Sequence, residues 1–174
     1  MKKSDYIDIL NKDERYHRAY AISKHNREDP IYGDEWSSID DVGLVFPSGV
    51  LTLALFCEVE QQYIHSAQEI LGSCKCDCLY LVYSELYSRR SRKNQDDLFR
   101  LNKRIRISEL PFYIRGMMRD EFFVVLVNPH KGIRLDFGYD IYMRLSCPLE
   151  LEEVQQIANR NGLFLNMDFK GFGQ

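Results

Sequence analysis

Apolar positions recur along this chain at two spacings, and the switches between them mark its elements. In residues 4–25, Tyr16, Ala19, Tyr20 and Ser23 fall on one face at helical spacing, and Ser4 and Asp13 suit N-caps, which predicts an N-terminal helix. Pro30 and Gly33 make 26–41 a loop. Val42 to Phe46, the turn Pro47-Ser48-Gly49, and Val50 to Glu58 read as a β-hairpin. A helix over 61–72 would end at Gly72. Cys78 to Tyr83, Arg104 to Ile107 and Glu121 to Val127 read as strands, and the last is a nearly continuous apolar run, as a central buried strand requires. Ser108-Glu109-Leu110-Pro111 opens a short helix through Met117, and 128–132 is a turn.

Ile133 to Leu145 returns as one or two strands. Pro148 to Asn161 carries the clearest helical pattern. Glu150, Glu152 and Glu153 lie in its first turn, where the helix dipole favours acids. Leu151, Val154 and Ile157 or Ala158 form its inner face, and Gly162 takes the C′ position. Leu163 to Phe169 is a final strand. The pattern is that of an α+β fold. Residues 1–174 would form a single domain, a mainly antiparallel β-sheet with an N-terminal helix and a C-terminal helix packed on it.

A hydrophobic fraction of 45% can build a sizeable core, and a net charge of −3 argues against a general nucleic-acid binder. Asp5 and Asp8 interrupt any signal-peptide core, and no apolar run approaches the ~18 residues that span a bilayer. The expected location is the cytoplasm, with no membrane partner. Cys57, Cys74, Cys76, Cys78 and Cys147 are an odd number in a chain with a core, so free and mostly buried thiols are expected.

Candidate chemistry is sparse. Cys74, Cys76 and Cys78 alternate, whereas zinc folds space paired cysteines by two to four residues; a site completed by Cys57 or His65 is the alternative to buried thiols. Glu58 and Glu60 would share one face of a strand, and Asp168-Phe169-Lys170 has the Asp-x-Lys spacing of some metal-dependent nucleases. With the basic segment 89–106, which holds eight bases and two acids, they form the enzymatic alternative. That segment also reads as an RNA-contacting patch or as a solvated loop. None of His17, His25, His65 and His130 sits in a catalytic motif, and no glycine loop cradles phosphate. No cofactor is expected.

The acids are more concentrated. Glu28, Asp29, Asp34, Glu35, Asp40 and Asp41 fall in 28–41 with no base among them. Tyr32 and Trp36 lie within this stretch. An aromatic inside a like-charged field reads either as an interface anchor for a basic protein or as a core residue under a solvated loop.

Three stretches carry a family resemblance. They are Trp36-Ser-Ser-Ile-Asp-Asp-Val-Gly-Leu-Val-Phe46, the apolar hairpin strand after it, and Leu135-Asp-Phe-Gly-Tyr-Asp-Ile-Tyr-Met143. Together they resemble immunity proteins of bacterial contact-dependent growth inhibition systems. The resemblance covers roughly residues 4–145 and implies a small cytosolic non-enzyme. Such a protein binds the C-terminal toxin domain of a delivered effector, often a nuclease, and blocks it. It implies no catalytic residues; the cysteine spacing leads to the expectation of no metal, and the net charge to that of no direct contact with nucleic acid. Tyr32, Asp34, Glu35, Trp36, Asp40 and Asp41 are the expected partner-binding residues, with Asp136 and Asp140 as exposed positions of the later strand.

Overall fold

The computed structural model describes residues 19–26, 28–30, 34–87, 97–138 and 141–166. Its strands are β1 (Ala19–Ser23), β2 (Val45–Phe46), β3 (Gly49–Val50), β4 (Cys78–Leu86), β5 (Arg104–Arg106), β6 (Phe122–Asn128), β7 (Ile133–Phe137), β8 (Met143–Ser146) and β9 (Phe164–Asn166). The helices are α1 (Leu53–Ser73), α2 (Leu110–Met118) and α3 (Leu151–Arg160), with single 3₁₀ turns at Ile39–Asp41 and Ile107–Glu109. Seven strands make one antiparallel sheet in the order β5-β4-β6-β7-β8-β1-β9, and β2-β3 stands apart as a small hairpin. The α+β class and the antiparallel sheet are as expected.

Alternation sorts the sheet into two faces. Phe122, Val124 and Leu126 of β6, with Ile133, Leu135 and Phe137 of β7, enter the main core with the inner faces of the helices. Phe123, Val125 and Val127 form a second cluster with Val82 and Tyr83 on the opposite side. A bulge between Leu81 and Tyr83 places those last two together.

Two elements differ from expectation. Residues 19–23 are a strand, not the end of a helix; residues 4–18 lie outside the described residues. Tyr20 and Ile22 point into the core at a period of two, and β1 hydrogen-bonds on both edges, to β8 and to β9. Tertiary pairing overrides a helical spacing here: Tyr16, Ala19, Tyr20 and Ser23 fit a helical period, but pairing on both edges holds 19–23 extended.

The hairpin is also much shorter than 42–58. Thr52 starts a helix instead, its hydroxyl accepting from the Leu55 N–H at 3.1 Å. From there Phe56, Val59, Tyr63, Ile64, Ala67, Ile70 and Leu71 repeat at three and four, and α1 buries this stripe against the sheet. Its first-turn apolar residues, Leu53 and Leu55, face outward. They mimic a strand in sequence because they do not belong to the core stripe.

The remaining elements lie close to where their patterns put them. Pro111 sits in the first turn of α2. At the end of α3, Gly162 adopts φ +76° while the Leu163 N–H reaches the Ala158 carbonyl at 2.9 Å. Gly116 in α2 is required for another reason: a Cβ there would stand 2.1 Å from Phe122 Cζ. Gly116→Ala gains ~1 kcal/mol of helix propensity but must displace a core ring. We expect a net loss of ~2 kcal/mol, read as a lower urea midpoint. A variant as stable as the parent would show that α2 and β6 pack less closely than described.

Candidate functional site

The acidic stretch separates into carboxylates that hold the loop and carboxylates at its surface. Asp41 Oδ2 accepts from the Ser37 and Ser38 N–H groups at 2.9 and 3.0 Å, and Ser38 Oγ accepts from the Asp40 N–H at 3.2 Å. This reciprocal cap holds the 3₁₀ turn. Glu35 accepts from the Ser48 N–H at 2.8 Å and from the Ser48 hydroxyl at 2.6 Å, tying the loop to the β2-β3 turn. Asp34 and Asp40 project into solvent, as do Glu28 and Asp29.

Trp36 is a core residue. It is 4% exposed, with its ring 5.7 Å from that of Phe56. The expectation that it anchors a partner from an exposed loop is therefore corrected. The loop is polar enough to stay in water, and the indole supplies the apolar area that pins it down. Asp136 is also corrected. It is fully buried between Arg134 at 2.9 Å and Arg144 at 2.5 Å, in register opposite Arg144 across β7 and β8. Its function is to neutralise buried guanidinium groups, not to meet a partner. Tyr32 and Asp140 lie outside the described residues.

The Glu58 and Glu60 pair of the enzymatic alternative loses its shared face. Glu58 and Glu60 lie on a helix, not a strand, so two positions turn them about 200° apart. Glu58 is exposed, whereas Glu60 is 1% exposed and clasped by Arg119, Nε to Oε1 at 2.5 Å and the terminal nitrogen to Oε2 at 2.7 Å. Asp168 lies outside the described residues, as does 88–96 of the basic segment. The described part of that segment pairs locally: Arg100 with Asp97, and Arg106 with Glu109.

Cys74, Cys76, Cys78 and Cys147 are buried free thiols, and Cys57 is half-buried. Cys76 donates to the Cys78 carbonyl at 3.2 Å and takes the Asn128 amide at 3.6 Å; burial pushes its pKa up. The hydrogen bond that the Cys147 thiol donates to Cys74, and then burial, push Cys147 up. Among the described residues no group of three or more His, Cys, Asp or Glu side chains could hold a metal ion.

Sequence patterns left two features unread. The first is a concentration of exposed apolar side chains between residues 44 and 55. Leu44, Val45, Val50, Leu53 and Leu55 are all exposed, Val45 at 78%, and Val45 faces Val50 across the hairpin. They account for most of the large hydrophobics exposed among the described residues. The excess apolar residues round the Pro47-Ser48-Gly49 turn were the available signal. Two acids adjoin this patch: Glu35 is bonded to Ser48 in the hairpin turn, and the Leu44 N–H donates to the Asp41 backbone carbonyl at 3.0 Å.

The second is a cavity of about 310 Å³ beside it. Trp36, Leu55, Val59 and Phe164 supply its apolar lining, and Lys24, His25, Asp29 and Glu35 its charged and titratable groups. Lys24 Nζ lies over the Trp36 ring, 3.4 Å from the centroid, and contacts His25 Nε2, which is 3.1 Å from the Trp36 carbonyl oxygen. The lysine's backbone is held by Tyr63, whose hydroxyl accepts from the Lys24 N–H at 2.9 Å and donates to the Ile141 carbonyl at 2.5 Å. Burial lowers the Lys24 pKa to about 7, against the opposing pull of Glu35 and Asp41.

No family model, curated protein or solved structure matches this chain. Its chemistry must be read from its own surface. Among the described residues no helix is long and apolar enough to cross a membrane.

Two measurements bear on this geometry. Trp36→Ala empties a buried aromatic site and should cost ~3–5 kcal/mol of stability; a loss under 1 kcal/mol would return the indole to the surface. For Lys24, the folded pKa lies below the unfolded one, so the penalty is full below about 7 and disappears as pH rises towards 10.5. Parent stability should therefore gain on that of Lys24→Met between those pH values, by paired denaturant titrations. A pH-independent difference would place the amine in water.

Proposed function

We infer that this protein is a binding protein that captures and neutralises the C-terminal toxin domain of a contact-dependent growth inhibition effector. The observation that carries this reading is the exposed apolar hairpin patch with acids along its border. An apolar centre with a charged rim is the anatomy of a protein-binding surface. Carboxylates at the rim favour a basic partner, and a nuclease domain is basic because it holds a phosphate backbone. The resemblance carried by Trp36–Phe46 points to the same function and spans part of the same segment.

This moves the proposed contact. Trp36 and Asp41 position the loop from within and below, and Glu35 fastens the hairpin. Val45, Val50 and Leu53 then provide the apolar contact, and Asp34 and Asp40 the steering field. The reading includes no catalysis by this chain, a cytoplasmic site of action, and no direct contact with nucleic acid.

The test is binding to the toxin domain encoded at the 3′ end of the effector gene directly upstream. Val45→Asp should weaken binding at least roughly tenfold, mainly through faster dissociation, without loss of stability because the side chain is exposed. Asp34→Asn with Asp40→Asn should slow association and flatten its salt dependence, since salt screens such charges over ~10 Å at 0.1 M. Unchanged kinetics in both variants would exclude this surface. Failure of the parent protein to bind or protect would exclude the function.

A further inference from the structure

We propose that the cavity beside Trp36 is a carbonyl-binding site, in which Lys24 Nζ forms a Schiff base with a small neutral aldehyde. The site lies next to the proposed partner surface but requires no partner. Three features of the geometry support it. The amine is half-buried and borders a cavity of about 310 Å³, at the small end of ligand sites. It is immobilised, with its backbone N–H on Tyr63 and its Nζ between the Trp36 face and His25. The cavity joins an apolar lining to groups that can move protons, which amine addition to a carbonyl needs.

The groups facing the amine are of known sign. Glu35 and Asp41 act on it from the loop, Asp29 lines the same cavity, and His25 touches Nζ. Helix α1 contributes Leu55, Val59 and Gln62 to the lining, and β9 contributes Phe164, none of them titratable. No ordinary carboxylate salt bridge to Lys24 is present at 4 Å among the described residues, so desolvation prevails over the acids and the amine is half neutral near pH 7. A neutral amine is the nucleophile; an ammonium is not.

The chemistry balances without a further reagent. The Nζ lone pair attacks the carbonyl carbon, and the π electrons move to oxygen, which takes up a proton as Nζ loses one. Protonation of the resulting hydroxyl releases water, Nζ gives up its second proton, and a C=N bond remains. His25, whose Nε2 touches Nζ, is the group placed to carry these protons. Glu35 and Asp41 also set the ligand class. Their negative charge acts at the amine and disfavours an anionic carbonyl compound, while Trp36 and Phe164 favour an aromatic or short aliphatic one.

The test is reductive trapping on the intact protein with benzaldehyde and cyanoborohydride, followed by peptide mass mapping. At pH 7 an ordinary lysine, with a pKa near 10.4, has on the order of a thousandfold less neutral amine than Lys24 would have. Lys24 should therefore carry roughly tenfold more adduct than any other lysine, after allowance for its lower basicity. Its labelling should level off just above pH 7 while that of the others keeps rising. Glyoxylate, an anionic aldehyde, should label Lys24 less than benzaldehyde does. Lys24→Arg should lose the dominant adduct and keep the background. Adduct spread over the lysines according to exposure overturns the proposal, and that map on the parent protein decides the matter even if the variant misfolds. Preferential labelling by glyoxylate overturns the assigned ligand class.

Discussion

The structure depends on one covering contact: α1 must lie across the inner face of the sheet. Tyr63 fixes where it lies. Its ring packs 5.5 Å from Phe137 on β7, and its hydroxyl binds the backbone just after β1 and the backbone just before β8. Burial raises the Tyr63 pKa well above its usual value, so the phenol keeps its proton and both hydrogen bonds. With α1 so placed, its first turn is carried beyond the sheet. There it meets the loop at Trp36 and Phe56, and the cavity is the space left between them.

Polar groups within the fold follow the same logic of compensation. Glu60 faces the core side of α1 and is answered by Arg119 just beyond α2. Asp136 lies between Arg134 and Arg144 on the other face of the sheet. Removing one member of such a group leaves a buried charge without its counterpart, which costs more than the intact group contributes to stability. These side chains look like catalytic or interface acids in sequence only because sequence does not display their partners.

Legibility followed locality. The α3 helix was plain because its acidic first turn, inner stripe and Gly162 all lie within one short segment, and β6 because six successive apolar residues admit few other readings. β1 was not, since its conformation is set by β8 and β9 more than a hundred residues away. Val50 to Glu58 failed for a different reason. Outward-facing Leu53 and Leu55 obscured the α1 period, and the Thr52 cap carried less weight than the turn before it. The site shows the same division. The acids of 28–41 could be counted, but Glu35 and Asp41 could not be separated from Asp34 and Asp40 until their hydrogen bonds were known. Lys24 gave no sequence signal, because desolvation arises only when the loop and α1 close around it.

The place of β1 between β8 and β9 also governs the order in which the molecule can be made. Tyr20 pairs with Leu145, and Ile22 with Leu165, so both edges of β1 wait for residues more than a hundred positions later. At ~5–20 residues per second of synthesis, β1 spends several seconds without its neighbours. Its two open edges are then free to pair with anything that offers a strand. While β8 and β9 are still in the ribosomal tunnel, the nascent chain can bring β4 and β6 together under α1 and α2, but it cannot seat β1. Completion of the sheet thus waits until β8 and β9 have left the ribosome, and a chaperone that shields β1 during those seconds would act at the step where this topology is most exposed.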